Sequence, residues 1–281
     1  MYKFKAVIDL VRPVDCLTHA ILPLFALAII FGELNMTLIY LFLFVTFAAF
    51  CGFALNNIAD AELDKLDRKI RNPISQSKLN KYDAALISFL FLVLSIHFLF
   101  LLPKAHIILG VLALLIAFLH SFVLKSKPPF DLLFAAVPSI GFIMVYALFN
   151  PLDFKSLILS IIVFFSFAIG GLLQEIRDFD KDKKKLSNTV IKLGQEASIK
   201  LSISLFLVSI FLGLYLIYIN LLPSMLIISI PLAYFLLTPL VKSLTNYKLR
   251  KELNSIYLKW GIIVYVVALL YNLFKSFIFT I

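Results

Sequence analysis

The sequence predicts an all-α membrane protein of about nine transmembrane helices with a cytoplasmic N-terminus. Three observations predict it. Of the 281 residues, 62% are hydrophobic and 15% charged, and mean hydropathy is +1.01, whereas a soluble domain carries about a quarter charged residues. The apolar residues fall into blocks of about 18–23, the length a helix needs to cross a hydrocarbon core. Lys and Arg gather on alternate connections, which sets one face as cytoplasmic. Lipid admits only helices or closed barrels, and the blocks lack the apolar–polar alternation of barrel strands.

Taken in order, the spans are 14–33, 37–59, 82–102, 105–124, 131–149, 155–175, 200–219, 223–243 and 256–277. The first is too long for the apolar core of a cleavable signal, and no small-residue cleavage site precedes the second. The second has a soft end, running into polar residues from Asn56 onward. The N-terminal segment carries Lys3, Lys5 and Arg12. The loops 60–81, 125–130, 176–200 and 242–259 carry six, two, seven and five Lys or Arg. The opposite face receives only Lys104, Lys155 and Lys275. The N-terminus is therefore expected inside and the C-terminus outside. This asymmetry accounts for the net charge of +10 with no need of nucleic acid. Cys16 and Cys51 fall near the cytoplasmic halves of spans, where a structural disulfide is not expected, and read as small packing residues. No Pro- or Ser-rich linker divides the chain, so residues 1–281 read as one membrane domain.

Ionisable residues at the mouths of spans are costly and are candidates for function. One cluster ends the second span, Asn56-Asn57-Ile58-Ala59-Asp60-Ala61-Glu62-Leu63-Asp64. The other ends the sixth, Gln174-Glu175-Ile176-Arg177-Asp178-Phe179-Asp180-Lys181-Asp182. If the helices continue, Asn56, Asp60 and Asp64 share one face at i, i+4 and i+8, and Asp178 and Asp182 form a second i, i+4 pair. A lone D-x-x-x-D in a charged loop is ordinary solvated surface. Two such pairs at equivalent span ends, both opening on the cytoplasmic face, are more specific and can converge on one site. Carboxylates brought together repel unless a cation neutralises them, and oxygen-only donors suit Mg²⁺. Arg68, Lys69, Arg71, Lys125, Lys127 and Arg177 lie at the same mouth. Acidic pairs beside basic residues point to a metal-bridged diphosphate.

These residues resemble the UbiA superfamily of intramembrane prenyltransferases. Asn56-Asn57-x-x-Asp60-x-x-x-Asp64 is similar to its N-D-x-x-D-x-x-x-D signature, and Asp178-x-x-x-Asp182 to its second, D-x-x-x-D. Arg71-Asn72-Pro73-Ile74-Ser75 resembles its R-P-hydrophobic-small stretch. Leu186 to Gly194 resembles the segment closing its second cytoplasmic loop. Arg12-Pro13 and Ser121-x-x-Leu124-Lys125 match further marks of the family, and the likeness runs nearly the whole chain. The departures are Asn57, where the family usually has Asp, His120 in place of a common Tyr, and Pro128-Pro129 in a looser turn.

The resemblance implies transfer of a prenyl group from a polyprenyl diphosphate to a lipophilic acceptor in the membrane. It implies Mg²⁺ as cofactor, held by Asp60, Asp64, Asp178 and Asp182 as catalytic metal ligands, with Asn56 as a neutral oxygen ligand. Arg68, Arg71, Lys125 and Lys127 would neutralise the diphosphate, which Asn56 also borders. The partners implied are the donor, the acceptor and membrane lipid. The acceptor stays open between a glycerol-phosphate ether lipid such as geranylgeranylglyceryl phosphate and an aromatic quinone precursor. Gln174-Glu175-Ile176 resembles the ether-lipid members. A transporter and a non-catalytic isoprenoid-binding protein remain alternatives, although transporter sites lie near the bilayer midplane. A reporter fused after residue 190 is expected to behave as cytoplasmic and one after residue 152 as external; both landing on one side would refute the span assignment.

Overall fold

The computed structural model describes residues 2–17, 35–66, 72–183, 186–222 and 229–260, and every regular element among them is helical. In chain order these are α1 (Tyr2–Val11), α2 (Pro13–Cys16), α3 (Met36–Ala59), α4 (Ala61–Leu66), α5 (Lys81–Phe100), α6 (Lys104–Leu119), α7 (Ala136–Phe149), α8 (Phe154–Asp182), α9 (Thr189–Leu193), α10 (Gln195–Tyr218) and α11 (Ser229–Lys242). A last helix, α12, covers 247–260. A π turn, His120–Leu124, extends α6, and a 3-10 helix, Phe130–Ala135, leads into α7.

Six helical stretches among the described residues are long and apolar enough to cross a membrane: Met36–Ala59, Lys81–Phe100, Lys104–Leu124, Phe130–Phe149, Phe154–Asp182 and Gln195–Tyr218. They match the second to seventh expected spans within a few residues, except that α8 runs seven residues past its expected end at 175. Nearly all of the first span and most of the ninth lie outside the described residues, and the eighth is described only from Ser229. Helix starts are set by side-chain caps. Asn35 accepts from Leu38 N–H at 2.8 Å, and Asn80 from Asp83 N–H at 2.6 Å. Asp153 forms a reciprocal capping box with Ser156, which satisfies donors that a helix end leaves open.

The described residues group into two compact units, one within Met1–Val123 and Met144–Phe149, the other within Leu124–Ile143 and from Asn150 onward. In the first unit α3 runs along α5. Their seam is made of small residues: Cys51, Ala54, Ala84, Ser88 and Ser95 are all buried. Cys51 Sγ lies 3.4 Å from Ser88 Oγ, and Ser95 Oγ donates to Phe44 O at 3.3 Å. Several large residues of α5, Leu86, Phe89, Leu90 and Phe100, are exposed, although Leu99 is buried. This is the packing expected in lipid, where bulky apolar side chains gain nothing by leaving the acyl chains and small ones let backbones approach. Cys16 and Cys51 are both buried free thiols. Ala6 and Leu10 of α1 join Ala54, Leu79 and Ala84 in a core cluster, which seats α1 on α3.

In the second unit α8 packs along α10, around Ile169, Leu172, Leu173, Ile176, Val190, Ile199, Leu240 and Leu253. Along α10 the hydroxyls of Ser198, Ser202, Ser204 and Ser209 each donate to the carbonyl four residues back, at 2.8 to 3.0 Å. A hydroxyl tied to its own helix adds no unsatisfied group to an apolar environment. Phe134, in the 3-10 helix, sets the Cζ–Cε1 edge of its ring against Gly171 of α8, and a Cβ there would overlap that edge. A Cβ at the adjacent Gly170 would meet only Tyr257, at an ordinary 3.5 Å. Gly171→Ala is expected to lower stability by about 1–3 kcal/mol through overpacking, while Gly170→Ala stays neutral or gains from helix propensity. Thermal unfolding in detergent checks the pair, and equal midpoints would contradict this packing.

Candidate functional site

The first acidic cluster sits on a helix that bends without losing register. α3 ends at Ala59, Asp60 caps it at φ −87° and ψ −3°, and α4 restarts at Ala61. Asp60 N–H donates to Asn56 O at 2.9 Å and Asp64 N–H to Asp60 O at 2.8 Å. Helical i→i−4 bonding therefore crosses the joint, and Asn56, Asp60 and Asp64 keep the one-face spacing expected of them. Asn56 and Asp60 are half-buried and Asp64 is buried. Its Oδ2 accepts from Asn72 Nδ2 at 2.9 Å, and the same nitrogen donates to Asn57 O at 2.8 Å. Asn72 Oδ1 accepts from Ile74 N–H at 3.0 Å, so every polar group of this fully buried amide is used.

Asn57 points to a different task. Its Nδ2 donates to Leu10 O at 2.7 Å, and its Oδ1 accepts from Arg12 Nη2 at 2.8 Å. Arg12 forms the left-handed joint between α1 and α2, at φ 49°. An amide offers both a donor and an acceptor, whereas a carboxylate offers acceptors only. Asn at this position is therefore matched to its two neighbours and closes the α1–α2 joint onto α3.

The second cluster is helical throughout, because α8 runs to Asp182. Asp178 accepts a two-pronged pair from Arg177, Nε to Oδ1 at 3.1 Å and Nη2 to Oδ2 at 2.7 Å. Arg177, grouped with the anion-binding residues on sequence grounds, is thus a carboxylate partner. Asp180 faces elsewhere, as its 200° offset from Asp178 predicts. It accepts from the Tyr247 hydroxyl and pairs with Lys183 Nζ at 3.4 Å and Lys251 Nζ at 3.6 Å.

Beside this cluster lies a second acidic pair. Asp131, in the 3-10 helix, is fully buried. It accepts from Thr189 N–H at 2.6 Å and Thr189 Oγ1 at 2.5 Å. Glu175 accepts from Val190 N–H, with Asp131, Asp182 and Lys125 as the charges acting on it. Asn188 Oδ1 takes Ile191 N–H at 2.9 Å. The first three N–H groups of α9 are all closed by side chains, which fixes the return of the loop after Asp182. Lys125 is half-buried directly after the π turn, and Lys127 is exposed. Arg68 and Arg71 lie outside the described residues. Asn72 and Asp131 carried no spacing signal, since their partners are set by tertiary contacts.

Each unit supplies one Asp pair. Within neither unit do three His, Cys, Asp or Glu side chains gather as a metal site among the described residues. The donors that stand together at each mouth are carboxylate and amide oxygens, hard donors whose chemistry fits Mg²⁺.

The profile of the UbiA prenyltransferase family matches residues 20–263. A digeranylgeranylglyceryl phosphate synthase of Pyrococcus horikoshii is 26% identical over 202 residues, 69% of this chain and 71% of that protein. Among solved structures, one of a digeranylgeranylglyceryl phosphate synthase in membranes has a TM-score of 0.77 at 19% identity, covering 97% of this chain and 99% of that one. A UbiA homologue from Archaeoglobus fulgidus bound to GPP and Mg²⁺ has a TM-score of 0.75, also at 19% identity, covering 95% and 98%.

Asn57→Asp is expected to strand the Leu10 carbonyl and to lower stability by about 1–3 kcal/mol, even though Asp is the family's usual residue there. The midpoint of thermal unfolding tests it. A midpoint equal to or above that of the parent protein would show that the amide is not matched to the α1–α2 joint.

Proposed function

We propose that this chain, which belongs to the UbiA prenyltransferase family, joins a prenyl group from a polyprenyl diphosphate to a glycerol-phosphate acceptor of the geranylgeranylglyceryl phosphate kind. It is an integral membrane prenyltransferase. The observation that carries the choice of acceptor is the match to the P. horikoshii synthase over 69% of the chain. We read both units as one transmembrane domain of about nine spans in the cell membrane, with the N-terminus and the site mouth facing the cytoplasm. The Lys and Arg asymmetry supports this orientation.

In this reading the allylic C–O bond of the donor breaks, diphosphate leaves with the bonding pair, and the acceptor hydroxyl oxygen forms the new ether bond as its proton passes to the released diphosphate. Within each unit the carboxylates would hold Mg²⁺, Asp60 and Asp64 with Asn56 in one and Asp178 and Asp182 in the other. When bound, the metal stabilises the charge that develops on the departing diphosphate. Arg68, Arg71, Lys125 and Lys127 add cationic partners for the phosphate oxygens. Asp178, paired with Arg177 in this structure, would give up that pairing to hold the metal, so the carboxylate would be neutralised in both arrangements. The apolar spans keep water from the allylic cation until the acceptor captures it.

Purified protein supplied with geranylgeranyl diphosphate and geranylgeranylglyceryl phosphate is expected to form the diether phosphate with Mg²⁺ and to stop in EDTA. Undiminished transfer in chelator would refute the metal assignment. Product formed only with an aromatic acid would refute the acceptor. Asp60→Ala, Asp64→Ala, Asp178→Ala and Asp182→Ala should each lower turnover by roughly 10²–10³-fold. Asp180→Ala, whose carboxylate is tied to Tyr247 and Lys251, should be mild.

A further inference from the structure

We infer that Asn72 is the positioning residue for Asp64, fixing one carboxylate oxygen so that the side chain is already set for a divalent cation. The inference rests on the reading of Asp64 as a Mg²⁺ ligand. Asn72 is the residue through which three backbone segments meet. Its amide nitrogen reaches the last turn of α3 at Asn57 O and α4 at Asp64 Oδ2, and its amide oxygen receives Ile74 N–H from the following turn. The orientation of the amide is dictated by these partners. A carbonyl and a carboxylate can only accept, and a backbone N–H can only donate, so a flipped amide would oppose like groups at every contact.

The support behind Asn72 is itself rigid. Ser75 Oγ donates to Asn72 O at 2.9 Å. Lys78 N–H and Leu79 N–H both close onto Pro73 O, at 2.9 and 3.2 Å. Leu79 then buries its side chain in the α1–α3 cluster. Asn57, whose carbonyl shares the Asn72 nitrogen, is pinned in turn by Leu10 and Arg12. A carboxylate held this way has lost its rotational freedom on folding, so less ordering remains to be done when a cation arrives. Hydrogen bonds behind a metal ligand typically contribute 10- to 100-fold in metal affinity.

The test uses the full chain in detergent with Asn72→Ala, Asn72→Asp, Asp64→Ala and, as a control on α10, Ser204→Ala, whose exposed hydroxyl bonds its own helix. Mn²⁺ binding is followed by electron paramagnetic resonance, alongside the Mg²⁺ concentration that half-activates transfer. Asn72→Ala and Asn72→Asp are expected to weaken both constants by about 10- to 100-fold. The Asp variant should be the worse, because it sets a like charge against Asp64. Turnover at saturating Mg²⁺ should largely recover in Asn72→Ala, and Ser204→Ala should leave both constants unchanged. Metal constants unmoved in the Asn72 variants while Asp64→Ala weakens them would overturn the inference and leave the site reading intact. Metal binding unmoved in Asp64→Ala would overturn the site reading itself. Turnover lost at every Mg²⁺ concentration with metal binding intact would also overturn the inference. Should Asn72→Ala and Asn72→Asp fail to fold, Asn72→Gln carries the amide one methylene further, and the same titration decides by the same criterion.

Discussion

Hydrocarbon offers a backbone no hydrogen-bond partner, and that constraint organises everything else in this chain. Each spanning segment must close its own N–H and C=O groups, so the spans are helices. Polar side chains within them either turn back on their own helix, as Thr46 does to Phe42 O, Ser166 to Ile162 O and Ser209 to Leu205 O, or reach a neighbour's carbonyl, as Ser95 does to Phe44 O. With no hydrophobic force to bring helices together, contact depends on how closely backbones approach. The Cys51–Ser88 and Ala54–Ala84 seam of the first unit meets that need with side chains of a few atoms.

The same constraint gathers the chemistry at the helix ends, where charges are affordable and where helices leave donors unmet. Two kinds of end appear. Around Asp64, neutral amides do the holding: Asn72 and Asn57 supply donors to one side and acceptors to the other. Around Asp182, carboxylates do it: Asp131 and Glu175 take the open N–H groups of α9. Both arrangements leave aspartates on a firm backbone, one on a jointed helix and one on an unbroken one.

Much of this was legible in the sequence, and what was not has a physical cause. Block length alone located six described spans, because apolar length is what a bilayer selects. The helix of the sixth span outlasts its apolar block, as the i, i+4 reading of Asp178 and Asp182 requires. Residues 176–182 are as polar as a loop, yet the helix continues through them, with the Asp180–Lys183 pair one turn apart along its side. The i, i+4 spacing of both Asp pairs survives in the fold, since it is a local property. The duty of Asn57 was illegible because its partners, Leu10 and Arg12, lie 47 and 45 positions away. Asp131 and Thr189 are 58 apart, and neither carries any pattern that would have linked them.

The inverted packing of α5 has an evolutionary side. A Phe or Leu pointing outward, such as Phe89 or Leu86, meets fluid acyl chains that reshape themselves around whatever apolar group replaces it. Drift among bulky residues there is nearly free. Ala54, Ala84 and Ser88 have no such latitude, because a single added methylene would push two backbones apart. In a soluble core the large residues are the ones that packing holds in place; along this seam that role falls to the smallest.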